Sequence, residues 1–175
     1  MAKSGALHEN DSLEIVYRTV VKRFELEIDR KKELDNKANN LVGFIGIIMS
    51  LITGFSVAYI KVPTIEEWNL GALRLLSPII SLGLVFIFIL ASFLFVLKVI
   101  QIKEFTYVPN AFTLVGAYSN SEKQVVLRDL CDDYAIAIGD NHTINDKKAN
   151  DIKNAIWSLS LGFFALILHT FLLLI

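Results

Sequence analysis

Two copies of one short word hold the charged and amide side chains with the greatest capacity for chemistry. Asp35-Asn36-Lys37-Ala38-Asn39 returns as Asp146-Lys147-Lys148-Ala149-Asn150, the pattern D-x-K-A-N about 110 residues apart. On a helix, Asp and Asn at i and i+4 share a face. Each copy stands just before a long apolar run, so both have the same polarity relative to a bilayer and are predicted at matching depth on two parallel helices. One reading is structural: Asp near a helix start complements the dipole, Lys extends to lipid headgroups, and Ala and Asn permit close helix contact. The other is functional: Asp35, Lys37, Asn39, Asp146, Lys148 and Asn150 form a polar collar that gates or senses something at the inner mouth of an assembly.

The remaining reactive side chains point away from catalysis. Asp132, Asp133, Asp140 and Asp146 form an acidic cluster, but the Gly and terminal Glu of a calcium loop are missing, so a solvated face is expected. Cys131 is the only cysteine, without a disulfide partner or metal-type Cys/His spacing. His169, next to Thr170, is the sole ionisable group in the apolar runs and reads as a hydrogen bonder between helices. Ser50, Thr53, Ser92, Ser158 and Ser160 read as hydroxyls bonded to backbone or to a neighbouring helix. No nucleophile and base can be paired by spacing, and there is no Gly-rich phosphate loop. The expectation is therefore a non-enzyme with no catalytic residue, cofactor or metal. With a formal net charge of -1 and no basic stripe interleaved with aromatics, nucleic acid is not an expected direct partner.

Hydrophobic residues make up 54% of the chain and are concentrated in three runs, so the expected solvent is a lipid bilayer. The predicted fold class is an all-α integral membrane protein: three transmembrane helices, a long N-terminal amphipathic helix and a short cytoplasmic helical insertion. Residues 1–39 form the cytoplasmic amphipathic helix, with Leu13, Tyr17, Val20, Phe24 and Ile28 at three- or four-residue steps and an Asp11/Glu14 pair as its cap. Spans follow at 40–59, 77–97 and 155–175. None contains Asp, Glu, Lys or Arg, which argues against a proton-coupled carboxylate relay, and each approaches the about 20 apolar residues needed to cross a core of about 30 Å. Residues 60–76 make an outer loop, with Pro78 placed in the first turn of the second span. The cytoplasmic segment 98–154 carries a Ser119/Glu122 capping pair and an apolar stripe of Leu127, Leu130, Tyr134 and Ile138, predicted as a helix over 121–138 ended by Gly139. Thr143, with Asp146 three residues on, is the predicted cap of the next helix.

Lysine and arginine set the orientation. Arg30, Lys31, Lys32 and Lys37 precede the first span, Lys98 and Lys103 follow the second, and Lys147, Lys148 and Lys153 precede the third, against Lys61 and Arg74 in the intervening loop. The N-terminus and the 98–154 segment are thus expected inside, and the C-terminus outside, in a multi-pass protein of the cell's inner (plasma) membrane. The polar first eleven residues lack the h-region of a removable signal, so the first apolar helix is expected to direct insertion. The Asn141-His142-Thr143 sequon would then never meet a glycosylating enzyme.

In the first span Gly46, Ser50, Gly54 and Ala58 recur every four residues, a small-residue face on which another helix backbone can pack closely. The stretch from Arg30 through Lys31-Lys32-Glu33-Leu34-Asp35-Asn36-Lys37-Ala38-Asn39-Asn40-Leu41-Val42-Gly43 to Phe44, with the second word at Asn145 to Asn150, resembles the membrane-effector modules of prokaryotic nucleotide-signalled defence systems, namely Pycsar-type transmembrane effectors and SLATT modules. The match covers about a third of the chain. The resemblance implies a homo-oligomer that permeabilises or depolarises the inner membrane as a pore-forming antiviral effector. It also implies an upstream signalling nucleotide or sensor protein, although no nucleotide-binding domain is recognisable here. Two other functions fit the same residues: an accessory or scaffold subunit of a larger membrane complex, and a small regulated ion channel.

Overall fold

The computed structural model describes residues 3–59, 72–102, 104–108, 116, 118, 119 and 121–174. Three α-helices account for nearly all of them: α1, Lys3–Tyr59; α2, Ala72–Gln101; and α3, Lys123–Leu174. Among the described residues there is no strand. Three helical stretches, Ser12–Gly54, Ile79–Gln101 and Lys123–Leu172, are long and apolar enough to cross a membrane. The chain is thus a helical protein with the composition of a multi-pass membrane protein. The expected loop at 60–76 lies largely outside the described residues, as does the side chain of Ala58.

The helices run further than local signals predict. α1 is already helical at Asp11, so the Asp11/Glu14 pair lies inside the helix and not at its start. α2 begins at Ala72, placing Pro78 beyond the first turn. Such a proline removes one backbone donor, which transmembrane helices tolerate where local adjustment or neighbouring groups re-satisfy the freed carbonyl. α3 passes through Gly139 without a break, and no glycine has positive φ among the described residues. Gly139 therefore does not adopt the left-handed conformation that would end a helix. Thr143 does not cap a new helix either: its hydroxyl donates to the Gly139 carbonyl at 3.1 Å, one turn back. A glycine in a helix costs about 1 kcal/mol relative to alanine, and the buried Ala137, Asn141 and Asn145 on either side hold the helix through it.

The chain divides into two compact units, Met1–Leu34 with Lys103–Lys147, and Asp35–Ile102 with Lys148–Ile175. The first is built on Phe24, Phe105 and Ala137, with Ile28, Val108, Tyr134 and Ile138 packed against them. The Phe24 and Tyr134 rings meet edge to face at 5.3 Å between centroids, and Tyr17 meets Tyr134 in the same way at 5.9 Å. Such geometry sets the positive edge of one ring on the negative face of the other. The non-helical segment 104–108 has no strand to pair with among the described residues, so its backbone needs another partner. Asn141 provides it: the Thr106 N–H donates to Asn141 Oδ1 at 2.8 Å, and Asn141 Nδ2 donates to the Thr106 carbonyl at 2.9 Å. The asparagine of the predicted sequon is thus fully buried and holds a loop in place.

The second unit is a three-helix packing with seams spaced three and four residues apart. The α2 seam is Leu82, Val85, Ile89, Ser92, Val96 and Val99; that of α3 is Lys148, Ile152, Ala155, Leu159, Gly162 and His169; α1 contributes Ala38, Ile45, Ile48 and Ile52. Alternating three- and four-residue steps give the shallow crossing of coiled-coil-like bundles. Facing away are large apolar residues such as Ile47, Leu51, Ile87, Leu94, Phe164 and Phe171, the surface that lipid accepts. Between apolar helices in lipid, association rests on close packing and interhelical hydrogen bonds. Both are present. Ser92 Oγ donates to the Ala155 carbonyl at 2.8 Å, and Ser81 shares a 2.8 Å hydrogen bond with His169 Nδ1. Gly162 brings α3 so close to α2 that an added Cβ would stand 3.3 Å from Ile89 Cγ1 and 3.5 Å from Phe88 Cβ.

Candidate functional site

In the first unit, polar residues of α1 and α3 meet beside the aromatic core. The α3 stripe of buried Leu127 and Ala137 and half-buried Tyr134 continues in phase to Asn141 and Asn145, both fully buried. Asn145 Nδ2 donates both to the Glu27 backbone carbonyl at 2.9 Å and to Glu27 Oε2 at 2.7 Å. Its Oδ1 is buried without a partner among the described residues. His142 lies between two carboxylates, Nδ1 3.0 Å from Glu27 Oε1 and Nε2 3.4 Å from Asp146 Oδ2. Arg30 completes the cluster: its Nη2 donates to Asp146 Oδ1 at 2.7 Å, and Nη1 stands 3.8 Å from Glu27 Oε2. An imidazole with one ring hydrogen donates to only one of its two carboxylates; with two, it donates to both.

The environment shifts both acids. Burial pulls Glu27 upward, but hydrogen bonds from Asn145 and His142 and the charge of Arg30 outweigh it, so the carboxyl titrates below its ordinary value of 4.5. The Arg30 hydrogen bond is the main reason that Asp146 lies below its ordinary 3.8. A carboxylate depressed on folding contributes stability that is complete above its unfolded value and is lost as pH falls through the folded one. Thermal unfolding of the detergent-solubilised protein is therefore expected to hold steady down to about pH 5 and then drop toward about pH 3, with Glu27→Gln flattening part of that drop. A midpoint unchanged over that range in the parent protein would remove the network's role.

The repeated word is used differently in its two copies. In the second unit Lys148 Nζ donates to Asp35 Oδ1 at 2.6 Å, and the lysine side chain is only 2% exposed. In the first unit Asp146 pairs with Arg30. The Asp of the first copy thus meets the Lys of the second, and the Asp of the second meets a residue upstream of the first copy. Lys37, Asn39 and Asn150 are exposed. Spacing did not reveal Glu27, Arg30, Asn141, His142 and Asn145 as a cluster. One signal was available: the apolar stripe of α3, extended at three- and four-residue steps, lands on Asn141, Asn145 and Lys148.

The small-residue face of the first span is open. A Cβ added at Gly46 or Gly54 would have nothing within 4 Å, and Ser50 is exposed with its hydroxyl turned to the Gly46 carbonyl at 2.9 Å. Within this chain the close helix approach occurs at Gly162 instead. No protein-family model, curated protein or solved structure matches the chain.

Proposed function

We propose that this protein is an oligomerising membrane effector that permeabilises or depolarises the inner membrane in a stress or anti-phage response. The observation that carries the reading is the open face of α1 at Gly46, Ser50 and Gly54, which no other helix covers among the described residues. Small residues spaced four apart in a charge-free span let a second backbone come close, and interhelical van der Waals packing then holds the pair. In this reading the N-terminus and the 98–154 segment are cytoplasmic, and Asp35, Lys37, Asn39, Asp146, Lys148 and Asn150 surround the inner mouth and control it. An upstream nucleotide or sensor protein supplies the trigger. The alternatives are an accessory subunit whose partner docks on the same face, and a small regulated ion channel with uncharged walls.

The test is induction of the full chain in cells, with membrane potential and particle mass measured together. Gly46→Leu with Gly54→Leu is expected to leave the protein inserted and folded, to reduce it to a monomer and to abolish depolarisation. A parent protein that is monomeric and harmless overturns the effector reading in favour of the accessory subunit. Asp146→Ala is expected to keep the oligomer but alter depolarisation; unchanged activity returns the collar to a structural role.

A further inference from the structure

We infer that copies of this chain associate head to tail through the first unit, the outward face of α1 on one copy seating on the outward face of α3 on the next. The inference rests on the self-association proposed above and assigns it a surface outside the spans. On α1 the outward stripe is Ile15, Thr19, Lys22 and Leu26; on α3 it is Val125, Asp129, Asp132 and Ile136, and all eight residues are exposed. Both stripes step by four, three and four residues, so each lies along one helix face. Their four apolar residues are at least half exposed.

The two stripes match by kind. A large apolar residue stands at each end of both. Between the ends α1 carries Lys22 with Arg18 and Arg23 beside it, and α3 carries Asp129 and Asp132. Among the described residues Arg18, Lys22, Arg23 and Asp132 have no ion-pair partner, whereas Asp129 is bonded to the Tyr118 hydroxyl. Glu25 on α1 and Arg128 on α3 are the opposite-sign exposed charges within these segments, one step off each stripe. Within one chain the stripes do not satisfy each other, because the facing sides of α1 and α3 are occupied by Phe24, Tyr134 and Ala137.

A basic face on one helix and an acidic face on the other form a heterologous interface, which repeats around a ring when its rotation closes. Insertion with a common polarity keeps α1 of one copy parallel to α3 of the next. Matching the two stripes end to end in that parallel sense sets Ile15 beside Val125, Lys22 beside Asp132 and Leu26 beside Ile136. A stripe of this length covers about 16 Å of helix, weak by itself, but copies held in one bilayer meet at high effective concentration.

The experiment is disulfide trapping in membranes with the full chain carrying Cys131→Ser, Ile15→Cys and Val125→Cys. Oxidation is expected to give a ladder of dimers, trimers and larger products, and neither cysteine alone should cross-link. Dimers from Ile15→Cys alone would mean that α1 meets α1, overturning the proposal. An oligomer by mass that yields no ladder overturns this surface and leaves self-association standing, whereas a monomeric parent protein overturns both. As an independent check, Lys22→Glu or Asp132→Lys is expected to reduce the ladder several-fold, and the two together to restore it. Failure of the swapped pair to recover would also overturn the match.

Discussion

Replacing Asp35 with alanine is expected to destabilise the folded chain by about 2–4 kcal/mol, while Lys148→Met is expected to change it by no more than about 1 kcal/mol. The asymmetry follows from where the pair lies. Lys148 is almost completely buried, its ammonium donating to Asp35 Oδ1, whereas the Asp35 side chain is 39% exposed. Removing the aspartate leaves a buried charge without its counter-ion. Removing the lysine leaves a carboxylate that water already reaches, and methionine fills nearly the same volume with apolar atoms. The exposure of Asp35 argues for the lower end of the range, since solvent partly compensates the loss. Thermal unfolding of both variants in the same detergent measures the difference. Equal losses would show that Asp35 is not what holds the Lys148 charge.

Gly162→Leu is expected to have the other large effect, separating α2 from α3 and lowering the unfolding midpoint sharply, whereas Gly54→Leu leaves the single-chain fold intact. Ordinary overpacking costs about 1–3 kcal/mol. At Gly162 even the first added carbon meets Ile89 Cγ1 at 3.3 Å, with the Ile89 backbone nitrogen at 3.8 Å. Ile89 Cγ1 can give by a few tenths of an ångström for that first carbon, but the three further carbons of leucine have to enter the same filled seam, so the helices themselves must move apart. The displacement also strains the nearby hydrogen bond from Ser92 to the Ala155 carbonyl. At Gly54 the space is open, and leucine there changes only what a second helix encounters. Gly162→Ala provides a graded intermediate, expected to be close to neutral, because a crowding cost of about 1 kcal/mol is offset by the gain of about 1 kcal/mol from replacing a helical glycine. If Gly162→Leu unfolds at the parent temperature, α2 and α3 do not approach at that point.

By itself the sequence determined three long, charge-free apolar runs, their helical character and the side of each helix that is apolar. These are local properties: a bilayer-length run without charge has few alternatives, and a three- and four-residue period marks one helix face. Four of the serine and threonine hydroxyls behave as their positions imply, Ser50, Thr53 and Ser160 bonding their own helix and Ser92 bonding across to α3. Helix ends were less legible. Gly139 and Thr143 spell a stop and a restart, yet α3 continues, because packing on either side outweighs a local cost of about 1 kcal/mol.

Only the tertiary structure decided which residue meets which. Lys37 and Lys148 occupy the same place in the same five-residue word, but one is exposed and the other is among the most buried side chains in the chain. Gly46 and Gly54 lie on the more regular small-residue pattern, yet the close approach belongs to Gly162. Glu27, Arg30, His142, Asn145 and Asp146 join into one network from segments more than 100 residues apart. The physical reason is common to all three cases. Spacing along a helix states which side is apolar, but the rotation and register of one helix against another follow from the fit of side chains distant in sequence, and no local period encodes that fit.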